Sequence, residues 1–316
     1  MNHFNEFAHD VAEGLISKAK YLDSKYLYDE NGSALFQSIM NMPEYYPTDS
    51  EFEILSEKQQ KFASHLDSNM PVEFIELGAG DGMKVISFLK YFLNTKQDCT
   101  YTPVDISNSA LINLKARVQK AIPALNINTI HDDYFNALKE LSRKDNVQHV
   151  YLFLGGNIGN FPHADAINFL KKIRRNIHKN DLLIIGFDLI KDPRIILKAY
   201  DDPYGITASF NLNILKRINR ELQGNFDLTA FKYYPYYHPG KGEVRSYIYS
   251  LKKQNVRIER INATIPFEQW EHIHTEVSRK FDLSMIEQLA KETGFSSIEH
   301  IFDCKHYFAD SIFKAI

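Results

Sequence analysis

The stretch Val72-Glu-Phe-Ile-Glu-Leu-Gly78-Ala-Gly80-Asp81-Gly82 constrains this chain most, because an apolar strand runs straight into a glycine turn. Glycine permits positive φ and carries no Cβ, so main chain at Gly78 and Gly80 can lie against a nucleoside-bearing cofactor. A dinucleotide fingerprint wants a third glycine three residues after the second, and Met83 stands there instead. The next apolar run, Tyr101-Thr-Pro-Val-Asp105, ends in an acid at the place where a ribose-binding carboxylate falls in such folds.

The bulk properties narrow the partners. At 316 residues and roughly 150 per domain, two domains or one elaborated domain are expected. A formal net charge of −3 gives no general attraction to phosphate backbones or anionic lipid, so neither nucleic acid nor membrane is an expected partner. Two cysteines, Cys99 and Cys304, are too few for a disulfide framework or a zinc site. The N-terminus lacks a basic start and apolar core, and no run nears the roughly 18 apolar residues of a membrane span. A cytoplasmic protein, acting as a monomer, is the expectation.

Residues 1 to 65 read as helical, interrupted at Pro43-Glu-Tyr45-Tyr46-Pro47, where prolines end helices and leave the aromatic pair on a loop. From 72 to 190, strands at Val72 to Leu77, Tyr101 to Val104, Val147 to Leu154 and Leu182 to Phe187 alternate with amphipathic stretches. That rhythm predicts a parallel sheet covered by helices, an α/β fold with ligands beyond the carboxyl ends of its strands. The helix expected over Ala164 to His178 turns Phe169, Leu170, Ile173 and Ile177 inward. After Asp188 the rhythm breaks into helix through Asn219, then β-rich sequence over Phe226 to Pro266 with a turn at His238 to Gly242. A last helix, Ser284 to Thr293, ends at Gly294, and Ile298 to Phe308 reads as two short strands.

Several polar groups cluster at the predicted carboxyl edge. In Leu154-Gly155-Gly156-Asn157-Ile158-Gly159-Asn160, Asn160 both donates and accepts, which suits an amino acid's ends or a nucleobase edge; a turn whose asparagines only cap backbone is the plain alternative. His131-Asp132-Asp133-Tyr134 closes another strand, and Asp133 is placed to take an adenine amino group. Consecutive residues on an extended chain point to opposite faces, so no metal is expected there. The glycine turn with Asp105 favours S-adenosylmethionine (SAM) over a nicotinamide cofactor, while a structural turn or another nucleotide shares the glycine pattern.

Longer phrases are more specific. Tyr28-Asp29-x-x-Gly32-Ser33-x-Leu35-Phe36, Pro43-Glu-Tyr45-Tyr46-Pro-Thr48, Gly155-x-x-Ile158-Gly-Asn160, Asp188-Leu-x-Lys-Asp-Pro193, Ala199-Tyr200-Asp-Asp202, Phe210-Asn-x-Asn213 and Thr275-Glu276-x-Ser278-x-Lys-Phe281 follow one another in order. Over residues 21 to 296 the chain resembles the histidine Nα-methyltransferases of ergothioneine biosynthesis. The resemblance implies a Rossmann-like SAM methyltransferase sheet over 56–190 and 282–316, with a second α+β substrate-binding domain over 1–55 and 191–281. It implies that Gly78, Lys84, Asp105, Asp133 and Tyr134 line the SAM pocket, with Gly80 in the same turn. Tyr28, Tyr45, Asn160 and Tyr200 match positions around the substrate's amino acid end, and Glu276 and Ser278 match the pair that grips an imidazole. Tyr28 and Tyr45 are the expected orienting groups for catalysis. The implied reaction trimethylates the α-amino group of free histidine to hercynine.

The chain departs from the family at Gly156-Asn157, which replaces small hydroxyl residues, and at one position in the substrate pocket. Counting back from Glu276 along two strands, Ser246 falls where the histidine enzymes have a methionine against the ring. A shorter, more polar side chain there leaves open a different or larger amino acid, aromatic or ring-modified; a SAM-binding or partner-binding protein without catalysis is a separate alternative.

Overall fold

The computed structural model describes residues 3–95, 98–141, 146–179 and 181–316, so residues 1 and 2 of the expected N-terminal helical region lie outside it. Its strands are β1 (Val72–Leu77), β2 (Cys99–Asp105), β3 (Asn126–Ile127), β4 (Ile130–His131), β5 (Gln148–Phe153), β6 (Leu182–Asp188), β7 (Phe231–His238), β8 (Glu243–Ser250), β9 (Gln254–Ile258), β10 (Ala263–Phe267), β11 (His272–Arg279), β12 (Phe295–Phe302) and β13 (Phe308–Ala315). The chain falls into two compact units, one of residues 47–190 and 280–316, the other of 1–46 and 191–279.

The first unit is the sheet unit, with strand order β12-β13-β6-β5-β1-β2-β3 and β4 also on β2. From β6 to β3 the pairing is parallel, and β13 runs antiparallel between β6 and β12. Strands β1, β5 and β6 are buried along their whole length, which is why they read as near-continuous apolar runs. Alternate residues of β1 enter different clusters: Val72 and Phe74 pack with Phe88 and Phe92 of the helix Val85–Asn94, and Ile75 and Leu77 with Phe169 and Leu170 of the helix His163–Asn176. Helices thus cover both faces, as the strand and helix rhythm predicts.

The two terminal strands are longer than the sequence reading of Ile298 to Phe308. Each has eight residues, and β13 carries buried Asp310 and Ser311 between Phe308-Ala309 and Ile312-Phe313. Those polar residues hide the strand from a hydrophobicity pattern. Residues 47–55, read with the substrate domain, group with the sheet because Ile54 and Leu55 join its core from the helix Tyr46–Glu57.

In the second unit, β11, β8 and β7 form an antiparallel sheet in that order, and β9 and β10 a separate hairpin. Burial alternates strictly along β7 and β8, so this sheet has one inner face. The helices His3–Ile16 and Ile206–Leu222 supply Phe7, Val11, Phe210, Ile214 and Ile218 to a core that also takes Ile248 and Ile273. Helices with antiparallel strands make it the α+β unit expected. Among the described residues, no helix is long and apolar enough to cross a membrane.

Candidate functional site

Within the sheet unit, strand order reverses at β1, whose neighbours β2 and β5 lead away to opposite edges. Ligands of open α/β sheets bind outside the carboxyl ends at such a point. Both loops leaving it run through left-handed glycines, Gly78 (φ +74°), Gly80 (+55°) and Gly82 (+67°) after β1, Gly155 (+82°) and Gly156 (+69°) after β5. A Cβ on Gly78 would meet the Tyr134 hydroxyl at 2.7 Å, whereas at Gly80 nothing lies within 4 Å of one. Open space over bare main chain is a cradle that fits a nucleoside and an amino acid tail.

The acid at the end of β2 is already oriented. Asp105 Oδ2 accepts from the Gly80 N–H at 3.2 Å, and Oδ1 from the Ser107 N–H at 2.9 Å. Beside it Ile106 is exposed, offering an apolar surface of the kind an adenine face covers. Asp133 caps the helix Tyr134–Glu140, its Oδ1 accepting from the N–H groups of Phe135 and Asn136. His131 and Asp132 are likewise engaged, with the Ile106 carbonyl and with Asn136. Asn160 ends a short 3₁₀ turn, Asn157–Asn160, entered through left-handed Gly156.

Lys84 stands in a cluster of acids that the sequence reading missed in part. Its ammonium pairs with Glu51, a wholly buried residue whose other oxygen accepts from the Gly155 N–H at 2.6 Å. Glu51 therefore ties the helix Tyr46–Glu57 to both glycine loops. Burial lowers the Lys84 pKa and the Glu51 charge more than restores it, so the ammonium stays charged. Burial pushes Glu76 up to about 8, where it accepts from the Tyr101 hydroxyl. Asp310 is pushed well above the carboxylate range by burial and then by the nearby Glu51 charge, which keeps it protonated. A signal for Glu51 did exist: it sits three and four residues before Ile54 and Leu55, on the apolar stripe of its helix.

In the second unit, the inner face of the β11-β8-β7 sheet brings together Ser246, Glu276 and Ser278, with Tyr200 against it. Glu276 lies directly opposite Ser246 across the ladder. The ladder shifts between His274 and Glu276, leaving Thr275 as an extra residue. Without this bulge, Glu276 and Ser278 would share the face of His274; with it they join Ile273, Ser246 and Val244 on the buried face. Thr275 is anchored by donating to Asn211 Oδ1 at 2.7 Å. The Tyr200 hydroxyl donates to Ser278 Oγ at 2.8 Å, and Tyr233 Oη meets Ser246 Oγ at 3.2 Å. The Tyr28 ring rests edge-on against Phe36 and Phe210 at 5.3 and 5.2 Å, and Tyr45 packs on Phe36 at 6.2 Å. A carboxylate bracketed by hydroxyls on an apolar floor can recognise a polar ring carrying an N–H.

The family described as histidine-specific, SAM-dependent methyltransferases matches residues 7–315. The chain belongs to this family. It is similar to a histidine N-alpha-methyltransferase of Mycobacterium tuberculosis (strain CDC 1551 / Oshkosh), 33% identical with 89% of this chain and 88% of that protein covered. A histidine N-alpha-methyltransferase of Mycolicibacterium smegmatis (strain ATCC 700084 / mc(2)155) is 31% identical, covering 86% of this chain and 83% of that protein. Ergothioneine biosynthesis protein 1 of Schizosaccharomyces pombe (strain 972 / ATCC 24843) is 30% identical over 74% of this chain and 31% of its own length. The protein is thus a SAM-dependent methyltransferase, and the glycine cradle with its oriented Asp105 suits that cofactor.

Proposed function

We propose that this methyltransferase methylates the α-amino group of free L-histidine, carrying it to the trimethylated product hercynine. The observation that supports this reading above others is the inner face of the second unit, where a strand bulge turns Glu276 and Ser278 to the side of Ser246 and Tyr200. In this reading the sheet unit is the SAM-binding domain and the second unit binds the amino acid. Asp105 holds the ribose hydroxyls, Gly78 and Gly80 give the cofactor its main-chain bed, Lys84 meets its carboxylate, and Asp133 with Tyr134 border the adenine. Asn160 and Tyr200 hold the substrate's amino acid end, and Glu276 takes the imidazole N–H.

Bound in that bed, SAM supplies a methyl on a sulfonium, electrophilic enough to react with a neutral amine directly. The chain's own task is to hold that amine in line, and proximity of this kind contributes about 7 to 11 kcal/mol. Tyr28 and Tyr45 orient the amine through their hydroxyls as it sheds each proton, and no strong dedicated base is required. Action as a cytoplasmic monomer, without nucleic acid or membrane partners, completes the proposal; both cysteines are free thiols, one buried and one exposed.

Ser246 favours a second reading, the same chemistry on another aromatic or ring-modified amino acid. Incubating the protein with SAM and each free amino acid, then reading product masses, separates the two. Histidine gaining three methyl groups is the expected result. If histidine is inert while another amino acid gains mass, the histidine assignment falls and the second reading stands.

A further inference from the structure

Ser246 is the position at which the sequence leaves the substrate open, and its surroundings close it. The side chain is 1% exposed, so its hydroxyl is not presented to bulk solvent, and its contact is Tyr233 Oη at 3.2 Å. Tyr233 is itself 6% exposed on β7, two residue pairs along the ladder: Pro235 stands opposite Ser246, and Tyr233 opposite Ile248. Diagonal neighbours on one sheet face are within reach of an aromatic side chain. Burial lifts the Tyr233 pKa, and the charges of Glu276 and Asp201 and the hydroxyl of Tyr200 act on it too, which puts the phenol in the same neighbourhood as Glu276.

Two tyrosine and serine pairs therefore bracket Glu276. Tyr200 bonds Ser278 two residues along the same strand, and Tyr233 meets Ser246 on the strand across. A serine alone would leave a gap beside a ligand's ring. Here a phenol stands next to it, bulky and polar at its tip.

Resting on the proposed amino acid substrate, we infer that Tyr233 is a specificity-determining residue, whose ring takes up the room left by Ser246 beside Glu276 and restricts the accepted side chain to a small polar ring. A bicyclic or six-membered apolar ring meets the phenol both as bulk and as a polar group it cannot satisfy. Sites with buried polar groups discriminate against ligands that leave them unpaired far more strongly than apolar fit does.

The test uses the full chain at saturating SAM and compares kcat/KM for histidine and tryptophan in wild type, Tyr233→Phe, Tyr233→Ala, Ser246→Met and Tyr233→Ala/Ser246→Met. SAM binding by calorimetry reports on folding independently of turnover. Tyr233→Ala is expected to lower the histidine-to-tryptophan ratio about 100-fold, and Tyr233→Phe about 10-fold through loss of the hydroxyl alone. Ser246→Met is expected to lower histidine turnover while Tyr233 is present and to raise it in the Tyr233→Ala background, a reversal that a merely structural tyrosine would not produce. A Tyr233→Ala protein that binds SAM normally and keeps the wild-type ratio overturns the inference. If Tyr233→Ala does not fold, an unchanged histidine-to-tryptophan ratio in Tyr233→Phe together with undiminished histidine turnover in Ser246→Met does the same. Should wild type be inert on histidine, the proposed function fails, and the ratio between the amino acid it does methylate and a bulkier one tests Tyr233 in the same way.

Discussion

At Glu51, truncation to alanine leaves the Lys84 ammonium in the interior without its carboxylate and the Gly155 N–H without its acceptor. Breaking a buried pair by removing one partner costs about 3 to 5 kcal/mol. Asp310, protonated in the intact protein, can ionise in place of Glu51, so the lower end is expected. Urea unfolding of Glu51→Ala checks this, with Asp310→Asn close to wild type. Asp105 is a different case, since two backbone N–H groups already aim it. Asp105→Ala should weaken SAM binding by about 2 to 3 kcal/mol, the range for a hydrogen bond to a charged group left unmade. Calorimetry showing undiminished affinity in a folded variant rules out the ribose role. Glu276→Ala should lower kcat/KM for histidine about 100-fold, roughly 2.7 kcal/mol, while apolar aromatic amino acids lose less or gain. Equal losses for both substrates would mean that Glu276 does not read the side chain.

At the scale of elements, the bulge at Thr275 takes up one extra residue of β11. Deleting Thr275 leaves His274 opposite Tyr247 and Glu276 opposite Ser246 in plain alternation, so Glu276 and Ser278 keep the inner face while the Thr275–Asn211 hydrogen bond is lost. Histidine should then remain preferred over tryptophan with SAM affinity retained, an outcome that turnover on both amino acids and calorimetry together check. This feature was not legible beforehand, because a period of two cannot reveal an extra residue until the partner strand is known. Other elements were legible. The buried strands β1, β5 and β6 announce themselves as apolar runs, and the left-handed C-cap at Gly294 ends its helix where the glycine stands. Two-residue strands such as β3 and β4 carry no periodic signal at all. Individual acids and glycines at the carboxyl edge could be found because strand ends locate them. Tyr233 and Glu51 could not be assigned so, since what each does depends on a partner far away in sequence.

For the whole molecule, a charge cluster at the opposite, amino-terminal edge of the sheet governs the response to pH. His149 is buried with Glu73 and Asp181 each 3.5 Å from a ring nitrogen, and hydrogen bonds to Asp181 and then Glu73 lift its pKa to about 9. A histidine pKa raised in the folded state stabilises the protein fully below the unfolded value near 6.5, and that contribution disappears as pH climbs through 9. The raised Glu76 acts in the same direction from about pH 4.5 to 8. Stability should fall by about 3 kcal/mol between pH 6.5 and 9 from His149 alone, and His149→Gln should flatten that part of a Tm-against-pH profile. The sheet also has a history in time. Strand β13 lies between β6 and β12, yet roughly 120 residues separate the end of β6 from the start of β13. At about 5 to 20 residues per second of synthesis, the β6 edge waits on the order of ten seconds for its neighbour. During that interval Leu182-Leu-Ile-Ile-Gly-Phe187 is an apolar, uncharged strand with one side unpaired, the kind of segment that joins its own copies on neighbouring ribosomes. The arrangement that places β13 inside the sheet leaves this edge of the nascent methyltransferase uncovered until the last strand arrives, so expression at lower temperature should raise the yield of dispersed protein, which comparing yields at two temperatures checks.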